Sequence, residues 1–207
     1  MLGVFKQNTV ATAAALVFLT VVTKLKAMLH PAPIVQLGDF HRGLFFEGGW
    51  MKRSYLAHPS LYTLCSVVFV LLLALYINMV VNREKFYNRK HYLPALAFVL
   101  LTSMLPVLNV FSFEAIAGCF LFMAAAKTLT LGNTSYPRRA AFDVGFFLGL
   151  AILFYFPSVL FLLLFPFLLM LFRPLILQEL VAWLMGVMAP LYLTAAWFFV
   201  TGKWASI

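Results

Sequence analysis

Six Asp and Glu residues in a chain of 207 are few enough to weigh one by one. Two of them, Asp39 and Glu47, fall in "KLKAMLHPAPIVQLGDFHRGLFFEGGWMKRSYLAHPS" (24–60), together with His30, His41, His58, Arg42, Lys52 and Arg53. A positioned carboxylate there could act as a general base, and a histidine as a proton carrier or phosphate partner. Asp39, Glu47 and His41 are therefore the candidate catalytic groups. Arg42, Lys52 and Arg53 are the candidate anion-binding groups, suited to a lipid headgroup phosphate. Neither "DFH" nor "HRGLFFEGG" has the spacing of a ligand set, so no metal and no cofactor is expected.

The other acids have structural readings. Asp143 follows Arg139 by four residues, so on a helix the two share a face and form an ion pair. Glu114 sits about one turn into an apolar segment, where a carboxylate suits the positive helix end. Glu179, beyond Arg173 at a segment boundary, is expected to be solvated. Cys65 and Cys119 each lie inside an apolar run without a CxxC or Cys/His spacing, and read as buried small hydrophobes. The sequence has no GxSxG, HExxH, P-loop or GxGxxG motif, so hydrolase, zinc-protease, nucleotidase and dinucleotide readings have no support.

The elements that must position these groups are membrane helices. The chain is 64 % hydrophobic and 10 % charged, with a mean hydropathy of +1.00, where soluble domains are roughly one-quarter charged. The apolar runs have helical length, without the ~10-residue alternation of outer-membrane barrels. The expected fold is an all-α polytopic transmembrane bundle of about seven crossings, with six as the alternative. The expected helices are 9–23, 60–81, 92–108, 111–130, 140–156, 157–172 and 179–201, in one membrane domain. Residues 24–59 form an amphipathic interfacial loop, in which Phe40, Phe45, Phe46 and Trp50 alternate with basic residues.

One stretch, "DVGFFLGLAILFYFPSVLFLLLFPFLLMLFRP" (143–174), is too long for one crossing. As a single helix it would reach ~48 Å, against a hydrocarbon core of ~30 Å. Pro157 removes a backbone donor and biases Phe156 away from the helical region, so the chain should break at Phe156 and Pro157 and cross twice. Pro166 reads as a kink within the second helix.

The net charge of +9 sits between the apolar runs. That placement fits a lipid surface, and no nucleic-acid motif interleaves the charges. Arg83, Lys85, Arg89 and Lys90 in 82–92, and Lys127, Arg138 and Arg139 in 127–140, mark cytoplasmic loops by the positive-inside rule. The N-terminus is then cytoplasmic, read as a retained first helix, and the first loop and the turn at residue 157 are external.

The stretches "HYLPALAFVLLTSMLP" (91–106), "AAFDVGFFLGLAILFYFPSVLFLLLFPFLLMLFRP" (140–174) and "ELVAWLMGVMAPLYLTAAWFF" (179–199) resemble a family of polytopic inner-membrane proteins of Bacteroidota defined by a domain of unknown function. The resemblance covers nearly the whole chain and implies a native chain continuing beyond Ile207. A more distant likeness is to the membrane half of GT-C class glycosyltransferases that use polyprenyl-phosphate sugars. It rests on the long first loop and the helix–break–helix at 145–166, where Tyr155 replaces a frequent basic residue. Asp39 lacks the acidic neighbour that the likeness would call for. The leading functional expectation is a non-catalytic membrane subunit, scaffold or assembly partner of a cell-envelope complex, with other membrane proteins and anionic or polyprenyl-phosphate lipid as partners. The alternatives are a GT-C-like transferase or binder of lipid-linked sugars acting at the first loop, and a small-molecule transporter.

Overall fold

The computed structural model describes residues 10–29, 54–85, 87, 91–104, 111–131, 135–172 and 176–201. Every regular element among them is helical: α1 (Val10–Leu29), α2 (Pro59–Arg83), α3 (Leu93–Met104), α4 (Phe113–Thr130), α5 (Pro137–Phe154), a 3-10 turn (Phe156–Leu160), α6 (Phe161–Phe172) and α7 (Leu177–Val200). Three of them, α2, α4 and α7, are long and apolar enough to cross a bilayer, and Ala11–Leu25, Leu93–Met104 and Phe156–Leu168 are shorter apolar helices. Pro59 and Pro137 open α2 and α5 in the first turn, where a missing N–H costs nothing. α1 does not stop at residue 23. It runs through Lys24 and Lys26 to Leu29, because Lys, Leu, Ala and Met are all good helix formers and nothing there breaks the turn.

The described residues form two compact units, one up to Ser112 and one from Phe113 onward. In the first, Leu16 of α1, Ala74 of α2 and Ala95, Leu96 and Val99 of α3 make a buried core. Asn82 ties the end of α2 to the start of α3: its Nδ2 donates to the His91 carbonyl at 3.1 Å, and its Oδ1 accepts from the His91 N–H at 3.3 Å.

The second unit is built around α5. Its pairing with α4 is antiparallel, as three side-chain contacts in step show: Lys127 with Asp143, Phe120 with Phe147, and Phe113 with Phe154. Its pairing with α7 is parallel and much closer. A Cβ on Gly145 would lie 2.1 Å from the Trp183 carbonyl oxygen, and one on Gly149 2.5 Å from the Val187 carbonyl oxygen and 2.6 Å from the Pro190 ring. From the other side, a Cβ on Gly186 would lie 2.3 Å from the Phe142 carbonyl oxygen. Three glycines thus let two backbones touch where any side chain would hold them apart.

Two parallel neighbours force the chain between them to return the full length of α5, ~27 Å for its 18 residues. The return begins at Tyr155, whose φ of −145° and ψ of 103° are extended, and continues through the 3-10 turn that contains Pro157. α6 follows, with Pro166 inside it. The start of α7 then lies beside the start of α5, where Arg138 donates to Gln178.

A methyl group at the α5–α7 contact has nowhere to go. Gly145→Ala, Gly149→Ala and Gly186→Ala should each lower stability by about 1–3 kcal/mol through overpacking, read as detergent thermal unfolding. Gly118→Ala on α4, where a Cβ meets nothing within 4 Å, should be neutral or stabilise by up to ~1 kcal/mol.

Candidate functional site

Several threonines in the packed helices are closed on their own backbone. The hydroxyls of Thr20, Thr63 and Thr128 donate to the carbonyls of Leu16, Pro59 and Ala124, four residues earlier, at 2.7, 2.8 and 2.9 Å. In a low-dielectric interior this satisfies the hydroxyl without a second helix. Against that background the exceptions stand out.

The first is Glu179. It occupies the first turn of α7, is 2 % exposed, and neither carboxylate oxygen has a hydrogen-bond partner. The sequence reading placed it in solvent. The structure turns it inward because Glu179, Trp183, Gly186, Val187 and Pro190 form the buried stripe of α7 that faces α5. Ile176 before the helix supplies no side-chain cap, so the carboxylate offsets part of the positive helix end. One turn on, the Trp183 indole N–H is also buried and unpartnered. A donor and an acceptor thus share one stripe of α7 at one turn's spacing, close to the basic end of the unit.

That end carries two polar contacts between helices. Lys127 on α4 bonds Asp143 on α5 at 3.0 Å, and Arg138 on α5 donates to Gln178 on α7. The expected Arg139–Asp143 pair is replaced: α4 folds back beside α5 and presents Lys127 to Asp143, while Arg139 faces outward. The spacing of four within one helix did make Arg139 available, but the neighbouring helix supplied a better-placed ammonium group.

At the opposite end, the break at Phe156 and Pro157 buries Ser158, whose hydroxyl oxygen is unpartnered. Glu114 lies in the first turn of α4 and is half-buried. In the first unit, His91 is buried with its Nδ1 unpartnered and its ring 4.3 Å from that of Tyr87. Lys24, expected in the first loop, is buried within α1. Cys65, expected to be buried, is exposed on α2, and Cys119 is intermediate. His58 precedes α2 and is exposed.

Asp39, His41, Glu47, Arg42, Lys52 and Arg53, with His30, lie outside the described residues. Among the described residues no group of three His, Cys, Asp or Glu side chains could hold a metal. Burial of Glu179 was signalled in the sequence by the recurrence of Trp183, Gly186 and Pro190 at helical spacing beyond it, a pattern that places all four on one face. No family model, curated protein or solved structure matches the chain.

An unpaired buried carboxylate is costly, and its neutral isostere is much less so. Glu179→Gln should therefore raise stability by about 1–3 kcal/mol, seen as a higher unfolding temperature in detergent. A lower temperature would instead mean that the carboxylate carries a contact on which the fold depends. The part-exposed Lys127–Asp143 pair should matter less: Asp143→Asn is expected to cost under ~1 kcal/mol, and Arg139→Gln to leave stability unchanged.

Proposed function

We propose that the chain is a multi-pass subunit of a bacterial inner-membrane envelope complex, an assembly partner without a reaction of its own. The observation that carries this reading is the division of α7. Its inner stripe is spent on α5, while Leu184, Met188, Tyr192, Leu193, Trp197 and Phe199 are each more than half exposed. A helix of this length with large aromatic and aliphatic groups on every other face belongs in lipid or against another membrane helix. The buried threonines support the same reading, since Thr20, Thr63, Thr102 and Thr128 close on their own helices.

In this arrangement α1 to α7 are the seven crossings, with the 3-10 turn opening the sixth. The N-terminus is cytoplasmic. Within the second unit, Lys127, Arg138 and Gln178 gather at one end and Phe154 and Ser158 at the other, which supports a cytoplasmic placement of 127–139 and an external placement of the 157 turn. The likeness to inner-membrane proteins of Bacteroidota points the same way.

The test is purification of the full-length tagged protein from its native membrane in a gentle detergent, followed by mass spectrometry of the co-purifying proteins and lipids. Stoichiometric membrane partners, retained in Asp39→Asn, are the expected result. Recovery without protein partners but with bound polyprenyl phosphate, together with loss of a cellular glycan in Asp39→Asn, would overturn the subunit reading in favour of a GT-C-like transferase.

A further inference from the structure

We propose that α7 is hinged at Gly186 and Pro190, and that the segment before the hinge moves between a closed position on α5 and an open one that returns Glu179 to water. Pro190 lies inside the helix. It has no N–H to offer the Gly186 carbonyl four residues earlier, and its ring crowds that carbonyl. A proline of this kind is the usual cause of a sharp bend. Beyond the hinge the helix is held in place. A Cβ on Gly149 would come within 2.6 Å of the Pro190 ring, and the Thr194 hydroxyl donates to the Pro190 carbonyl at 2.7 Å.

Before the hinge the balance is different. The segment is held to α5 by the close approach of the Trp183 carbonyl to Gly145, where a Cβ would lie 2.1 Å from the oxygen. Against that contact stand three buried polar atoms without a hydrogen bond: both carboxylate oxygens of Glu179 and the indole nitrogen of Trp183. Each has been taken out of water without a replacement partner, and each recovers one when the segment swings out. Opening gives up a packing contact and restores three hydrogen-bonding groups. Two opposed terms acting across one hinge are what a two-position element requires.

The dimensions suit a small movement. Glu179 lies seven residues before Gly186, ~10 Å along the helix. A bend of ~20° at the hinge moves it by ~4 Å, enough to admit water. Ile176, Leu177 and Gln178 just ahead of it are all exposed, so Glu179 sits at the mouth of the seam. The contact across that mouth, from Arg138 to Gln178, is itself exposed, and a hydrogen bond in that position is a weak latch. The Lys127–Asp143 pair joins α4 to α5 without involving α7, so it stays in place in both positions. The hinge does not rest on the subunit reading and stands whether or not the chain has protein partners.

The experiment places nitroxide labels at Leu177→Cys and Arg139→Cys, both exposed positions, in the full-length protein with Cys65 and Cys119 replaced by alanine. Distances are read by double electron–electron resonance in lipid nanodiscs. The otherwise unchanged protein should show two distances about 5 Å apart. Glu179→Gln, which lowers the cost of the closed position, should reduce the longer-distance fraction roughly tenfold. Pro190→Ala restores the hydrogen bond to Gly186 and leaves Glu179 in place, and should reduce that fraction as well. Gly118→Ala, on α4 and away from the seam, should leave both fractions unchanged. A single distance before either substitution, or a longer-distance fraction that stays the same in Glu179→Gln or in a folded Pro190→Ala, would overturn the hinge.

Discussion

The direct contact between the backbones of α5 and α7 sets the rest of the second unit. In lipid, apolar side chains gain little by leaving one apolar surrounding for another, so helices associate through close packing and small residues. Gly145, Gly149 and Gly186 supply that closeness, with the Pro190 ring seated on Gly149. Because the two helices run parallel, the chain between them must travel back. The extended Tyr155, the 3-10 turn and the Pro166-bearing α6 are that return. What looks in isolation like an overlong helix with too many prolines is one helix and its way back.

The same contact accounts for where polar groups end up. Closing α7 onto α5 turns its stripe of Glu179, Trp183, Gly186, Val187 and Pro190 inward as a block. The glycines and the proline gain from it, while Glu179 and Trp183 are carried in with them and leave three polar atoms unpartnered. A helix face is buried as a unit, so the energy of close packing can impose burial on a residue that would not choose it alone. The neighbouring Lys127–Asp143 and Arg138–Gln178 contacts mark the level at which that interior opens to a polar surround.

Much of this architecture was legible in the sequence. The length of 143–174 demanded a break, and "YFPS" holds it, with the helix ending at Phe154 and Tyr155 extended. These are local facts, fixed by backbone chemistry. The misreadings of Asp143 and Glu179 concern side chains whose surroundings come from another helix. Asp143 was matched to Arg139 because a helix has neighbours at four, yet its partner is on α4. Glu179 was judged by its distance from the end of an apolar run, though its face was set by residues further along. Gly145 and Gly149 were read as part of a family-like pattern and not as a contact, because glycine in a sequence does not say which backbone it admits. The acids and bases of the first loop lie outside the described residues, so the chemistry first suspected there stays with the proposal.

Charge in this chain has two uses that composition cannot tell apart. A basic residue beside a membrane helix fixes which side the loop stays on, and for that purpose its exact geometry is immaterial. Lys127 and Arg138 are pinned to partners on neighbouring helices and spend part of their charge there. Arg83 and Lys85 stand on a turn whose ends are pinned by Asn82 while they themselves remain exposed. Cations held by partners on neighbouring helices are committed to the fold, whereas exposed ones keep their charge for the surroundings of the helix end. Net charge does not register the difference.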